Sequence, residues 1–161
     1  MMKFKSMTAV IILSSTLFLL GLLYLVYLLF FHRVNPELAR NTVTIGSNSF
    51  SVEIASTTAE KTLGLSGRDG LGNSQGMFFT FDMPGTQNFW MKDMKFPIDI
   101  IWISGDRVAG FAENAVPQPG VALWNLKIYS SPDSVDKVLE VNAGTVAKDG
   151  IKIGDSAQVS Q

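Results

Sequence analysis

Ile98-Asp99-Ile100-Ile101-Trp102-Ile103-Ser104-Gly105-Asp106-Arg107-Val108-Ala109-Gly110-Phe111-Ala112 carries the clearest structural signal in the sequence. Six residues, Ile98–Ile103, are β-branched or aromatic except for one acid, which favours a strand. Alternation puts Asp99, Ile101 and Ile103 on one face and Ile98, Ile100 and Trp102 on the other. Both faces are apolar, so the strand is interior. Gly105-Asp106 suits a tight turn into a second strand, Arg107–Ala112.

Outward from this hairpin the same signals recur. Thr42–Ile45 and Phe50–Ala55 form a hairpin around Gly46-Ser47-Asn48, and Phe50, Val52 and Ile54 alternate with Ser51 and Glu53. Thr57 and Glu60 have capping-box spacing and open a short helix, limited by Gly64 and Gly67. Gly67–Gly76 is glycine-rich loop. Met77–Phe81 is a strand that Asp82-Met83-Pro84-Gly85 breaks, and Asn88–Met91 is a short extended piece. Lys127–Ser130, Val135–Val141 and Ala157–Val159 are further strands, and Ala143–Lys148 is a helical turn. Many short strands, frequent turns and little helix predict a mainly β domain with minor helix, a compact β barrel or sandwich, over residues 42–161.

The N-terminal portion differs. Met7–Phe31 is 25 residues without a charge, eleven of them Leu or Ile. About 20 apolar residues suffice to cross a bilayer as a helix, so residues 7–31 are expected to form one N-terminal transmembrane helix. It follows a short cytoplasmic tail (1–6) and precedes a polar linker (32–41). The run is too long for a signal-peptide core and ends in Leu28-Leu29-Phe30-Phe31-His32-Arg33, without a small-residue cleavage site. Lys3, Lys5 and the amino terminus precede the span, and His32, Arg33, Arg40 and Glu37 follow it. The slight basic bias favours a single-pass span of the cell membrane with the N-terminus in the cytoplasm and the domain outside the cytoplasm.

Composition excludes several chemistries. There is no cysteine, and the single histidine, His32, abuts the apolar run. Ser-His and Cys-His nucleophile pairs and the usual zinc sites are therefore absent from the domain, and no metal or cofactor is expected. Residues 41–161 carry 9 Lys/Arg and 13 Asp/Glu, a balance unsuited to nucleic acid.

Five residues remain as candidates for a ligand-binding cleft: Arg68, Trp90, Lys92, Asp99 and Glu140. Asp99 on an interior strand needs a partner, because an unpaired buried charge is costly. Arg68, Lys92 and Lys95 are the cations in nearby motifs. One reading holds Asp99 at a cleft; the other makes it a strand-end residue that caps a turn after Pro97. Phe89-Trp90-Met91-Lys92 reads either as a pocket wall, with aromatic faces for sugar rings or apolar groups and a lysine for an anion, or as core. Glu140 would make a glycosidase-like pair with Asp99 if the two lay about 5–9 Å apart; otherwise it faces solvent. Ser134-Val135-Asp136-Lys137 matches the S-x-x-K pattern of serine acyl enzymes but enters a strand rather than a helix.

The order of motifs resembles the DUF192 (UPF0127) family of small prokaryotic domains. The matching residues are Val52-Glu53-Ile54-Ala55, Gly64-Leu65 with Arg68 and Leu71, Gly76-Met77-Phe78-Phe79 with Phe81, Phe89-Trp90-Met91-Lys92 and Pro97-Ile98-Asp99-Ile100-Ile101. They continue with Tyr129-Ser130, Val138-Leu139-Glu140-Val141 with Ala143-Gly144, and Ile151 with Gly154-Asp155. The resemblance implies a compact β-rich fold, often behind a signal or anchor segment, and supplies no reaction. Asp93-Met94 stands where the family usually has Asn-Thr, and Ser66-Gly67 where a bulkier pair is common. The expectation is therefore a ligand-binding or accessory module of the cell envelope, with a small-molecule or saccharide ligand or an envelope-protein partner. The alternatives are a structural or protein-interaction domain, and a carboxylate-based hydrolase or lyase acting on envelope saccharide.

Overall fold

The computed structural model describes residues 17–26 and 38–160, which belong to two units divided after Glu37. In the first, residues 17–26 are helical (α1). Among the described residues no helix is long and apolar enough to cross a membrane. The rest of the expected span, residues 7–16 and 27–31, lies outside the described residues, as do the tail 1–6 and residues 32–37 of the linker.

The second unit, Leu38–Gln161, is mainly β with minor helix. Its strands are β1 (Arg40–Ile45), β2 (Asn48–Ala55), β3 (Gln75–Gly85), β4 (Asn88–Trp90), β5 (Ile98–Ser104), β6 (Arg107–Ala115), β7 (Ile128–Ser130), β8 (Val135–Asn142) and β9 (Ala157–Ser160). Two short helices, α2 (Thr58–Leu63) and α3 (Thr145–Asp149), join them. Seven strands form one sheet in the order β6-β5-β8-β3-β2-β1-β9, and β4 pairs with β7 separately. The large sheet curls into a half-barrel. At one end its edges meet, because the start of β6 bonds the segment before β9: Val108 N–H donates to Asp155 O at 2.9 Å and Ala157 N–H to Asp106 O at 2.7 Å.

The interior-strand reading of Ile98–Ile103 holds. β5 lies between β6 and β8, and all six residues are buried. The two faces predicted from alternation feed two cores. Ile101 and Ile103 pack with Val43, Phe50, Phe78 and Leu139 inside the curl. Ile98, Ile100 and Trp102 pack with Met77, Phe79, Met91 and Tyr129 on the other face.

Two expectations need correction. The linker does not run to residue 41: Arg40 and Asn41 already pair with Glu53 and Val52, and Ile54 N–H donates to Ala39 O at 2.8 Å. Asp82–Gly85 does not end β3. The chain stays extended through Pro84, while the register against β8 jumps from Thr80↔Lys137 to Gly85↔Val135. This bulge takes the proline, which has no N–H to donate, out of the ladder. Separately, β2 and β3 are parallel, a pairing that requires a long crossover; α2 and the glycine-rich loop supply it. The predicted cap of α2 is present. Thr57 Oγ1 accepts from Glu60 N–H at 3.3 Å, and Glu60 Oε2 accepts from Thr57 N–H at 2.9 Å.

Candidate functional site

An open cavity of about 400 Å³ lies between the sheet, α2 and β4. Its floor is Phe79 and Phe81 of β3 with Glu140 of β8. Its walls are Lys61 and Thr62 of α2, the turn Leu63–Ser66, the strand Asn88-Phe89-Trp90, and Met94. The sheet register explains the floor. Glu140 stands opposite Met77 on β3 and Ile100 on β5, so it shares their face. Flanked by two apolar side chains, its carboxyl has only the cavity to face.

Glu140 is 5% exposed, and among the described residues nothing hydrogen-bonds or ion-pairs its side chain. Burial pushes its carboxyl up from 4.5 to about 8, because apolar surroundings disfavour the charged form. At neutral pH the group is mostly an un-ionised acid, able both to donate and to accept one hydrogen bond. Around it are Phe79 and Phe89, whose rings meet edge to face at 5.0 Å, and Trp90, 43% exposed at the rim.

Several polar groups of the walls are engaged within the protein, while the side chains of Thr58 and Gln87 line the cavity without such a bond among the described residues. Lys61 Nζ donates to Thr80 O at 2.6 Å and lies 4.6 Å from the centroid of the Phe81 ring. Thr62 Oγ1 donates to Thr58 O at 2.7 Å, Ser66 Oγ to Lys92 O at 2.8 Å, and Asn88 Oδ1 accepts from Ser130 Oγ at 2.7 Å.

Of the five candidates, the structure brings Trp90 and Glu140 together at this cavity. Asp99 is elsewhere. It pairs in register with Val141, not Glu140, so the two acids leave opposite faces of the sheet and form no glycosidase-like pair across a cleft. Asp99 is fully buried and partnered by backbone rather than by a cation. Its Oδ1 accepts from Asn114 N–H at 2.8 Å and its Oδ2 from Val146 N–H at 2.9 Å. Both donors need it. Asn114 sits in a β6 bulge at φ 52°, and α3 begins at Gly144 without a side-chain cap. Asp99 thus satisfies two N–H groups that the ladder and the helix leave open.

Arg68 forms a two-pronged bond with Glu53 at 3.1 and 2.6 Å. That bond holds the Glu53 carboxyl below its ordinary range against the opposing effect of burial. Lys92 pairs with Asp93 and lines a second groove of about 440 Å³ with Met91, Lys95, Pro119 and Leu123. Lys95 bonds Asp69 at 2.8 Å. Lys137 of the S-x-x-K stretch bonds Asp136 and Gly105 O. Among the described residues no cluster of His, Cys, Asp and Glu could hold a metal ion.

Sequence reasoning missed Lys61, Phe79 and Phe81 as site residues. Alternation puts Phe79 and Phe81 on one strand face, but only the β3–β8 pairing brings Glu140 to that face.

Residues 41–159 match the model of the DUF192 family, described as "Uncharacterized ACR". Two solved structures share the fold. One, a "putative transcription regulator" from Sinorhizobium meliloti 1021, is 28% identical with a TM-score of 0.70, over 78% of this chain and 97% of that one. The other, a protein of unknown function from Novosphingobium aromaticivorans, is 35% identical with a TM-score of 0.69, over 75% of this chain and 86% of that one. No curated protein matches.

Proposed function

This chain belongs to the DUF192 family, and from that premise we propose that its β unit is a ligand-binding module of the cell envelope, displayed from the membrane by residues 7–31. One observation carries the binding role: an unpartnered, buried carboxyl at the floor of an open cavity walled by aromatics. Native proteins satisfy buried polar groups. A buried acid left open toward a cavity of drug-like size, with apolar walls, fits a small-molecule site. The ligand would lay an apolar face against Phe79, Phe89 and Trp90 and hydrogen-bond Glu140.

The anchor rests on the 25-residue uncharged run and the basic residues before it. Binding is favoured over catalysis because, among the described residues, Glu140 is the one carboxyl lining the cavity and no histidine or cysteine accompanies it. The regulator description of the Sinorhizobium protein is not extended to this chain: residues 41–161 are acidic, and no nucleic-acid partner is proposed.

The test is a thermal-shift screen of the β unit against saccharides, amines, carboxylates and wall peptides. A ligand bound only by the folded state raises the melting temperature by mass action. The reading expects a shift that Trp90→Ala abolishes; no shift with any compound contradicts it.

A protein-interaction role is the second reading. Trp124 is 85% exposed beside the exposed Leu123 and Val121, and such apolar clusters mark contact surfaces. Loss of an envelope partner on Trp124→Ala with cavity ligands unaffected would favour it.

A further inference from the structure

We infer that the cavity's ligand is an organic ammonium, a small amine whose carbon skeleton lies among the aromatic rings and whose charged nitrogen meets Glu140. This deepens the pocket reading and rests on it. Three observations favour an amine over a polyol or an acid. First, Thr62, Ser66 and Lys61 of the walls already donate within the protein, which leaves the side chains of Thr58, Gln87 and Asn88 as the wall's open polar groups. The open polar group at the floor is a single carboxyl. A compact ligand with one strong donor answers that arrangement; a sugar with many hydroxyls does not. Second, the aromatic surface already receives an ammonium: Lys61 Nζ lies 4.6 Å from the Phe81 centroid. Ring faces attract cations, and most strongly where water is excluded. Third, among the described residues no cation pairs with Glu140, whose only shift comes from burial. Lys61 and Glu140 are the charged residues lining the cavity, and Lys61 is held by the Thr80 carbonyl. A ligand cation would supply the counter-charge that Glu140 lacks, whereas an anionic ligand would meet the acid directly.

The probes are 2-phenylethylamine, 2-phenylethanol and 3-phenylpropionate, similar in shape and different in charge. The full chain is placed in nanodiscs of phosphatidylglycerol, a lipid without an amine, and binding is followed by calorimetry from pH 6 to 9. The amine should bind at least about tenfold tighter than the alcohol at pH 8, and the propionate most weakly. An ammonium selects the ionised carboxyl, whose free midpoint is about 8. Amine affinity should therefore rise about tenfold per pH unit from 6 toward 8, with about one proton released per amine bound at pH 6. It should level off above 8, before the amine itself deprotonates near ~10. Glu140→Gln preserves shape and should invert the order, leaving the alcohol the tighter ligand; Trp90→Ala should weaken both.

Alcohol binding that equals or exceeds amine binding and is lost in Trp90→Ala, with no proton release, overturns the ammonium assignment and leaves the pocket standing. If none of the three probes binds, or binding ignores both substitutions, the ammonium assignment falls; the broader thermal-shift screen then shows whether the pocket reading falls with it.

Discussion

Replacing Glu140 by Gln should stabilise the domain, and by an amount that grows with pH. The wild-type acid titrates near 4.5 in the unfolded chain and near 8 when buried. Below 4.5 it is protonated in both states, and its ionisation does not touch stability. Between 4.5 and about 8 the unfolded chain releases a proton that the folded one keeps, so the folded state loses ground as pH rises. Above about 8 both states are ionised and the deficit is constant. At roughly 1.4 kcal/mol per pH unit, the deficit is about 3 kcal/mol at pH 7 and about 5 kcal/mol above pH 8. Glutamine keeps the shape and carries no proton to lose. The assay is urea unfolding of residues 38–161, wild type beside Glu140→Gln, at pH 5, 7 and 9. The difference should be small at pH 5 and widen by several kcal/mol by pH 9. A difference that stays the same at all three would mean instead that the carboxyl is solvated or paired when folded.

Other substitutions test the frame that holds the cavity. Asp99→Ala strands the N–H groups of Asn114 and Val146 in a buried site; it should cost about 3 kcal/mol in equilibrium unfolding, with Asp99→Asn milder. A Cβ on Gly76 would lie 2.6 Å from the Glu140 carbonyl and 3.0 Å from Leu139 Cδ1. Gly76→Ala should therefore lose about 1–3 kcal/mol and weaken ligand binding, since β8 must shift. Thr57→Ala removes the α2 cap and should lose about 1 kcal/mol, read as a lower melting temperature. Arg68 holds Glu53 below its ordinary range, which adds stability above pH 4.5 that is lost as pH falls through the lowered midpoint. Arg68→Ala should flatten that acid limb in a pH series of melting temperatures.

Much of the fold was legible because its signals are local. The alternation in Ile98–Ile103 specified a strand buried on both faces, and Thr57 with Glu60 announced α2 and its cap. The curl of the sheet and the parallel β2–β3 pair were not legible, since they depend on which strands meet across long separations. Asp99 shows the same limit at a single residue. Its burial on an interior strand was readable, but its partners are backbone N–H groups, one in a bulge and one at the start of α3, and neither has a side-chain signature. At the cavity, Trp90 and Glu140 stood out as residue types. Lys61, Phe79 and Phe81 did not, because an aromatic on a strand reads as core until the neighbouring element leaves a gap above it. Trp90 and Lys92, two residues apart, line different cavities, a division that only the turn at Met91–Met94 creates.

The proposed site turns on Glu140, a buried carboxyl that faces the cavity with no partner among the described residues. A carbon-13 titration of the glutamate carboxyls, with Glu140 assigned by its absence in Glu140→Gln, tests it most directly. The expected midpoint is near 8 for the free protein, displaced downward when the cavity is saturated with 2-phenylethylamine. A midpoint in the ordinary range near 4.5, unmoved by the amine, would contradict it.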